Sequence, residues 1–355
     1  AQVELGIHEV QRLYLRSWIA WIDLLPGEVS FRLPFPGGML LGSLLLLNLF
    51  AAHLRRFKLS WSKAGLIAVH AGVALLLIGE LFTALFSDEL QMRLDEGQRS
   101  NYSAHPREVE LAIIDRMSAD EEEVTAIPLG LLEDDAEFKL ADFTVRINRF
   151  FRNSDFKQED EAGAEYDPMR ADRGLGVGIA VREEPRETAM NRRDLTSAFI
   201  EISDPEGNRL GRWLLSNALG EEQTFEVGGE TRHMLIRQRR MYHPFSLELL
   251  DFTHERYLGT EIPKNFSSRV LLDNPETGEK RETLIYMNHP LRYAGLTFYQ
   301  SGFDNNDTTS ILQVVRNPVW TLPYIACTMV ALGLLWIFLQ HLIKAVTRRR
   351  KSPQK

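Results

Sequence analysis

Cysteine is almost missing from this 355-residue chain, and the single one, Cys327, lies in an apolar run. No intrachain disulfide can form. Neither Cys-x-x-Cys nor Cys-x-x-Cys-His occurs, which excludes a thiol reductase of that type and a c-type cytochrome. No internal repeat and no recognisable serine or cysteine nucleophile motif is present. The glycine-rich run Gly174-Leu-Gly-Val-Gly178 comes after a polar loop and opens no helix, so it is no dinucleotide fingerprint. Charge is nearly absent from three windows, 37–54, 64–86 and 318–343, each about the ~17–25 residues that cross a bilayer as a helix. A mean hydropathy of -0.20 conceals them, because it averages a greasy fraction with a very polar one. A purely soluble enzyme is excluded.

Charge then sets an expected topology. Residues 87–317 carry 28 Lys+Arg against 44 Asp+Glu, a net of −16, and the remainder carries +8. So acidic a middle argues against a nucleic-acid partner. The basic residues flank the apolar windows, in 55–63 and in 344–355, and positive residues in short loops mark the cytoplasmic side. The expected layout is a multi-pass protein of the plasma (inner) membrane. In it 1–36 is extracytoplasmic, 37–54 a transmembrane helix, 55–63 a cytoplasmic loop and 64–86 a second transmembrane helix. Residues 87–317 form an extracytoplasmic (periplasmic) domain, 318–343 is the last span, and 344–355 is a basic cytoplasmic tail. With 1–36 outside, the layout predicts a further membrane helix upstream of Ala1, with a cleaved secretory signal as the competing reading.

The acidic middle reads as β-rich. Short runs at 108–114, 143–148, 198–202 and 245–250 alternate with period two or are rich in β-branched residues. Turn clusters at 204–208, 227–229 and 273–279 separate them. This spacing predicts an antiparallel sandwich or barrel-like domain. Residues 154–196, charged and poor in apolar side chains, read as a long loop or partly disordered insertion. The four arginines within 232–240 read as a solvated strand face or loop, and Asp304-Asn-Asn-Asp307 as a polar turn rather than a calcium loop.

His70 stands out. It is seven residues into the 64–86 run, roughly 9–10 Å inside its cytoplasmic boundary. An ionisable side chain at that depth is a functional candidate, and neutral imidazole is a good iron ligand. An interhelical hydrogen bond is the bland alternative. Gly65, Gly72 and Gly79 repeat every seven residues, a stripe that admits close approach of a helix or a flat macrocycle. Taking 100° per residue, His70 is about 160° from Gly72, so histidine and stripe face different neighbours. Glu80, about 15 Å further along, is off the His70 face and suits an ion pair, proton uptake or snorkelling. Asn48 suits interhelical hydrogen bonding, and His53 and His341 sit at expected cytoplasmic helix ends.

Two stretches then carry a family resemblance: Tyr257-Leu-Gly-Thr-Glu-Ile-Pro-Lys-Asn-Phe-Ser-Ser-Arg-Val270 and Ile285-Tyr-Met-Asn-His-Pro-Leu-Arg-Tyr-Ala-Gly-Leu-Thr-Phe-Tyr-Gln-Ser-Gly-Phe303. With Gln313-Val-Val-Arg-Asn-Pro318 they resemble the ResB family of cytochrome c biogenesis proteins. The resemblance extends over nearly the whole chain, is strongest from Phe252 to Pro318 and is weak across 154–196. It implies a subunit of the system II cytochrome c synthase (haem lyase) complex, which exports haem and presents it to apocytochrome c. It further implies a ResC/CcsA-type membrane partner that carries the tryptophan-rich haem-handling loop, absent here. The subunit itself is then non-catalytic or haem-ligating. His70 matches the family's membrane haem ligand, and the haem b would be held transiently and shared with the partner. Ala1-Gln-Val-Glu-Leu-Gly-Ile7 resembles the residues just after the family's first helix. His289, within Asn288–Gly295, is assigned no family role and is expected to shape a turn. Two other classes stay open: a haem-free membrane scaffold, and a membrane electron-transfer cytochrome subunit, which would usually need paired histidines.

Overall fold

The structure, a computed structural model, describes residues 10–23, 32–56, 60–118, 121–187, 193–256, 263–304 and 308–351. Residues 1–7, 257–262 and 305–307, on which parts of the sequence reading fall, lie outside them. The chain divides into two units.

One unit comprises 1–88, 292–297 and 315–355. It contains an antiparallel pair, β1 (Ile19–Asp23) and β2 (Arg32–Pro36), and three helices: α1 (Gly38–Arg56), α2 (Ala64–Phe86) and α3 (Leu322–Lys351). The α2 sequence has no proline and few polar groups, so its backbone hydrogen bonds are made internally. The helix stops where the Ser87 N–H returns to the Thr83 carbonyl at 3.0 Å. The stretches Trp61–Phe86 and Leu322–Thr347, 26 residues each, are long and apolar enough to cross a membrane. At 1.5 Å per residue each spans about 39 Å, beyond the ~30 Å hydrocarbon core. The apolar part of α1, Gly38–Ala52, is shorter, so of the three spans expected, two meet the length. The last helix also starts later than expected. Asn317 Oδ1 accepts the Val319 N–H at 3.0 Å and the Leu322 N–H returns to the Val319 carbonyl, a turn that holds the chain out of the helix. At its other end α3 continues through the basic tail to Lys351.

The second unit comprises 89–291 and 298–314 and is antiparallel β. In chain order its strands are β3 (Asp88–Asp95), β4 (Arg99–Arg116), β5 (Glu122–Pro128), β6 (Glu137–Lys139), β7 (Thr144–Phe151), β8 (Ser154–Gln158), β9 (Ile179–Glu183), β10 (Ser197–Ser203), β11 (Arg209–Ser216) and β12 (Gln223–Val227). After them come β13 (Glu230–Arg256), β14 (Pro263–Asn274), β15 (Glu279–Tyr286), β16 (Leu291–Tyr293), β17 (Leu296–Asp304) and β18 (Thr309–Arg316), the last three including residues counted with the first unit. Ten form one sheet in the order β15-β14-β13-β4-β3-β18-β17-β16, with β12 on β13 and β5 on β4; four form a second, β11-β10-β7-β6. Alternation places one face inward: Leu90, Met92 and Leu94 of β3 are all buried. The two sheets close on a core that includes Leu111, Ile113, Val145, Ile147, Ile200, Ile202 and Ile236, where each fully buried aliphatic side chain contributes about 1.5–3 kcal/mol. The β-rich antiparallel domain expected for this region, as a sandwich or barrel-like fold, is present.

Two expectations need correction. Residues 154–187 are folded, not a loop. The β8–β9 hairpin covers the other face of the four-stranded sheet, where Phe151, Ala171, Val181, Phe199 and Leu214 form a second core. Strand β10 is therefore buried on both faces, which explains its unbroken apolar run from Ala198 to Ile200. The arginines of 232–240 do lie on a strand, but two of them are not solvated. Arg232 pairs with Asp115, and the buried Arg237 pairs with the buried Glu110, directly opposite it across the β4–β13 ladder.

Candidate functional site

In the helical unit the seven-residue glycine stripe has a definite partner. A Cβ at Gly65 would come within 2.7 Å of the Gly333 carbonyl oxygen, one at Gly72 within 2.8 Å of the Ala326 oxygen, and one at Gly79 within 3.3 Å of Leu322 Cβ. All three glycines of α2 are buried against α3. The indole N–H of Trp336 and the side-chain amide of Gln340 then donate to the Trp61 carbonyl, at 3.2 and 3.0 Å, and fasten one end of the pair.

His70 takes the other side, as the angular spacing requires. It lines a cavity of about 510 Å³ between α1 and α2, with Leu46, Leu47, Leu49 and Phe50 from the first helix and Ala71, Ala74, Leu75 and Ile78 from the second. Among the described residues the imidazole is the one polar side chain in that lining. Its Nδ1 lies 2.8 Å from the Leu66 carbonyl oxygen, one turn back. A carbonyl only accepts, so Nδ1 is the donor of this hydrogen bond. A hydrogen bond of this kind sets tautomer and ring orientation in metal-ligating histidines generally. The volume falls within the ~300–1,000 Å³ of small-molecule pockets, which are mostly apolar with a few placed polar groups.

The remaining candidates separate from His70. Glu80 lines a second cavity of about 400 Å³, with Gln11, Arg16, Met39 and Leu46; only Leu46 is common to the two. Asn48 and His341 are exposed, and the His53 side chain lies outside what is described. His289 shapes a turn: its N–H donates to the Tyr286 carbonyl at 2.9 Å, its ring stacks on Tyr286 at 4.6 Å, and Asn288 between them takes a positive φ of 61°. Asp304 pairs with Arg93 at 2.8 Å, and among the described residues no three His, Cys, Asp or Glu side chains gather as a metal site. Gly176 packs against Leu214, where a Cβ would meet Leu214 Cβ at 2.3 Å, a close-packing role and not a phosphate cradle. Sequence reasoning missed the α1 wall of the His70 cavity and the Leu66 carbonyl. The i−4 position of Leu66 was the available signal for the latter.

Residues 216–317 match the ResB-like family, which bears out the resemblance read from 252–318 over that part of the chain. Protein NrfI of Wolinella succinogenes is 36% identical over 93 residues, 26% of this chain and 10% of that protein. The chain thus spans about a tenth of the length of the curated relative it matches.

Proposed function

We propose, from the premise that residues 216–317 are a ResB-like segment, that this chain is a membrane subunit of cytochrome c biogenesis that holds haem at His70 for a partner protein. Haem here is cargo. The observation that carries the reading is the His70 imidazole in a cavity of about 510 Å³ whose other described lining residues are all apolar, its Nδ1 anchored on Leu66. Axial imidazole and greasy walls are what haem in a bilayer requires, and these residues fit it. Leu46, Leu49, Phe50 and Leu75 would exclude water, while His70 would bind iron through Nε2. A histidine of a ResC/CcsA-type partner would supply a further ligand to the iron. Apocytochrome c would supply the thiols for covalent attachment, since the chain's own single cysteine is Cys327 on α3.

Membrane placement is supported by the helices themselves. Leu332, Leu335, Phe338 and Ile343 of α3 are each more than half exposed, a hydrophobic surface that needs lipid or another helix against it. The basic ends of α1 and α3 would face the cytoplasm and residues 87–317 the outside. A reporter fused after Lys355 should read cytoplasmic and one placed near Glu161 extracytoplasmic; the reverse pattern overturns this topology. The functional reading is tested by purifying the chain together with its membrane partner and measuring the haem Soret band per complex. A stoichiometric band supports it, whereas an assembled complex without haem favours a scaffold.

A further inference from the structure

The β unit carries an arginine-lined cavity that the haem reading does not use. Its origin is a break in register between β4 and β13. Ala104 pairs with Arg240 and Val109 with Gln238, so four residues of β4, including Pro106, oppose the single Arg239. Such a bulge bends the strand and re-aims its side chains. On one side of the break a cavity of about 320 Å³ opens, lined by Arg93, Arg193, Arg237, Arg240, Tyr102 and Gln91 among others.

The charges there do not cancel. Arg93 is paired with Asp304 at 2.8 Å, and Arg237 is held by Glu110 at 3.0 Å and by the Tyr242 hydroxyl at 3.1 Å. Nearby Asp194 is engaged by Arg186 at 3.3 Å. The Arg240 guanidinium lies 4.0 Å from the centroid of the Tyr102 ring. Stacking of that kind spends the guanidinium face and leaves its edge N–H groups for an acceptor. Among the described residues no carboxylate pairs with Arg193 or Arg240. Two guanidiniums without a carboxylate partner among the described residues therefore line one cavity, in a stretch of chain whose net charge is strongly negative. A planar N–H fork matches the geometry of carboxylate and phosphate.

We propose that this cavity binds a small dianion, a molecule bearing two negative oxygen groups, through Arg193 and Arg240, with Arg237 and Gln91 on its walls. The proposal uses residues of the β unit alone, and its failure would leave the haem reading untouched.

The test titrates the full chain in lipid nanodiscs with glutarate and, separately, with inorganic phosphate, at constant ionic strength in chloride, with calorimetry as the readout. Saturable binding of at least one is expected, and which one binds tells a dicarboxylate from a phosphate ligand. Arg193→Gln and Arg240→Gln should each weaken it about tenfold or more, the loss of a charged hydrogen-bond partner. Both residues are outside the packed core, and unchanged circular dichroism would confirm that the variants fold. No saturable binding of either anion, or equal binding by the double variant, would overturn the proposal.

Discussion

Gly65 of α2 and Gly333 of α3 meet backbone to backbone: a Cβ on either would sit 2.7 Å from the carbonyl oxygen of the other. No lipid tail or side chain fits between them. Small residues at such crossings are what let helices approach in an apolar medium, where dispersion contacts rather than water exclusion hold them. Gly65→Val should force the helices apart and destabilise the pair by about 1–3 kcal/mol. Thermal unfolding in nanodiscs and crosslinking between α2 and α3 would read this. His70 faces the opposite side, so haem content per folded molecule should change little.

Glu110 and Arg237 form the most buried ion pair among the described residues, with side chains 5% and 7% exposed and Nε–Oε1 3.0 Å. Glu110→Ala leaves a buried guanidinium charge without its carboxylate and should cost about 3–5 kcal/mol. Replacing both partners, Glu110→Leu with Arg237→Met, should restore most of that loss, because two desolvated charges disappear together. Chemical denaturation of the two variants makes the comparison. Equal losses in both would show that packing, not charge, holds this position.

His243 links stability to pH. The ring is 8% exposed, stacked on Phe245 with centroids 5.2 Å apart, and its Nε2 lies 2.8 Å from Ser103 Oγ. Burial holds it below the ordinary histidine value of 6.5. On acidification the unfolded chain takes up this proton near pH 6.5 and the folded chain only at lower pH. Between those points the unfolded state binds more protons, so stability falls as pH drops through that window. His243→Phe should flatten the slope there. Asp273 acts lower on the scale: its hydrogen bond from Arg99 holds the carboxyl below 3.8, so its contribution is lost only in stronger acid. Denaturation midpoints measured against pH separate the two. An unchanged slope in the His243 variant would contradict the assignment.

Much of this architecture was legible in the sequence, and for physical reasons. Residues 64–86 are continuous in apolar side chains and coincide with α2, and the angle of about 160° between His70 and Gly72 suffices to send them to different helices. Strands 108–114 and 198–202 showed themselves through dense β-branched and aliphatic runs. The 154–187 segment hid because its core contribution is sparse: Phe156, Met169, Ala171, Ile179 and Val181 are far apart in sequence. Around them are ion-paired residues that read as solvated charge, as in Arg149–Asp167 at 3.1 Å and Arg182–Asp155 at 3.0 Å. Glu110 and Arg237 were hidden by distance, being 127 residues apart. No local pattern announces such a pair. The apolar wall supplied by α1 was likewise invisible, since which face of Leu46–Phe50 meets α2 depends on packing and not on period.

The central claim is that His70 holds haem iron, and the most direct measurement is the haem absorbance of the purified complex carrying His70→Ala, with and without imidazole. The substitution removes one ligand while Leu46, Phe50, Ala74 and Leu75 keep the cavity's apolar walls, so the complex should assemble with its haem weakened or lost. Exogenous imidazole, small enough for the vacated volume, should restore part of the spectrum. An interhelical hydrogen bond alone would amount to about 0.6–2 kcal/mol of packing, and haem per assembled complex would not change. Normal haem occupancy in the assembled alanine variant, with no response to imidazole, would contradict the account.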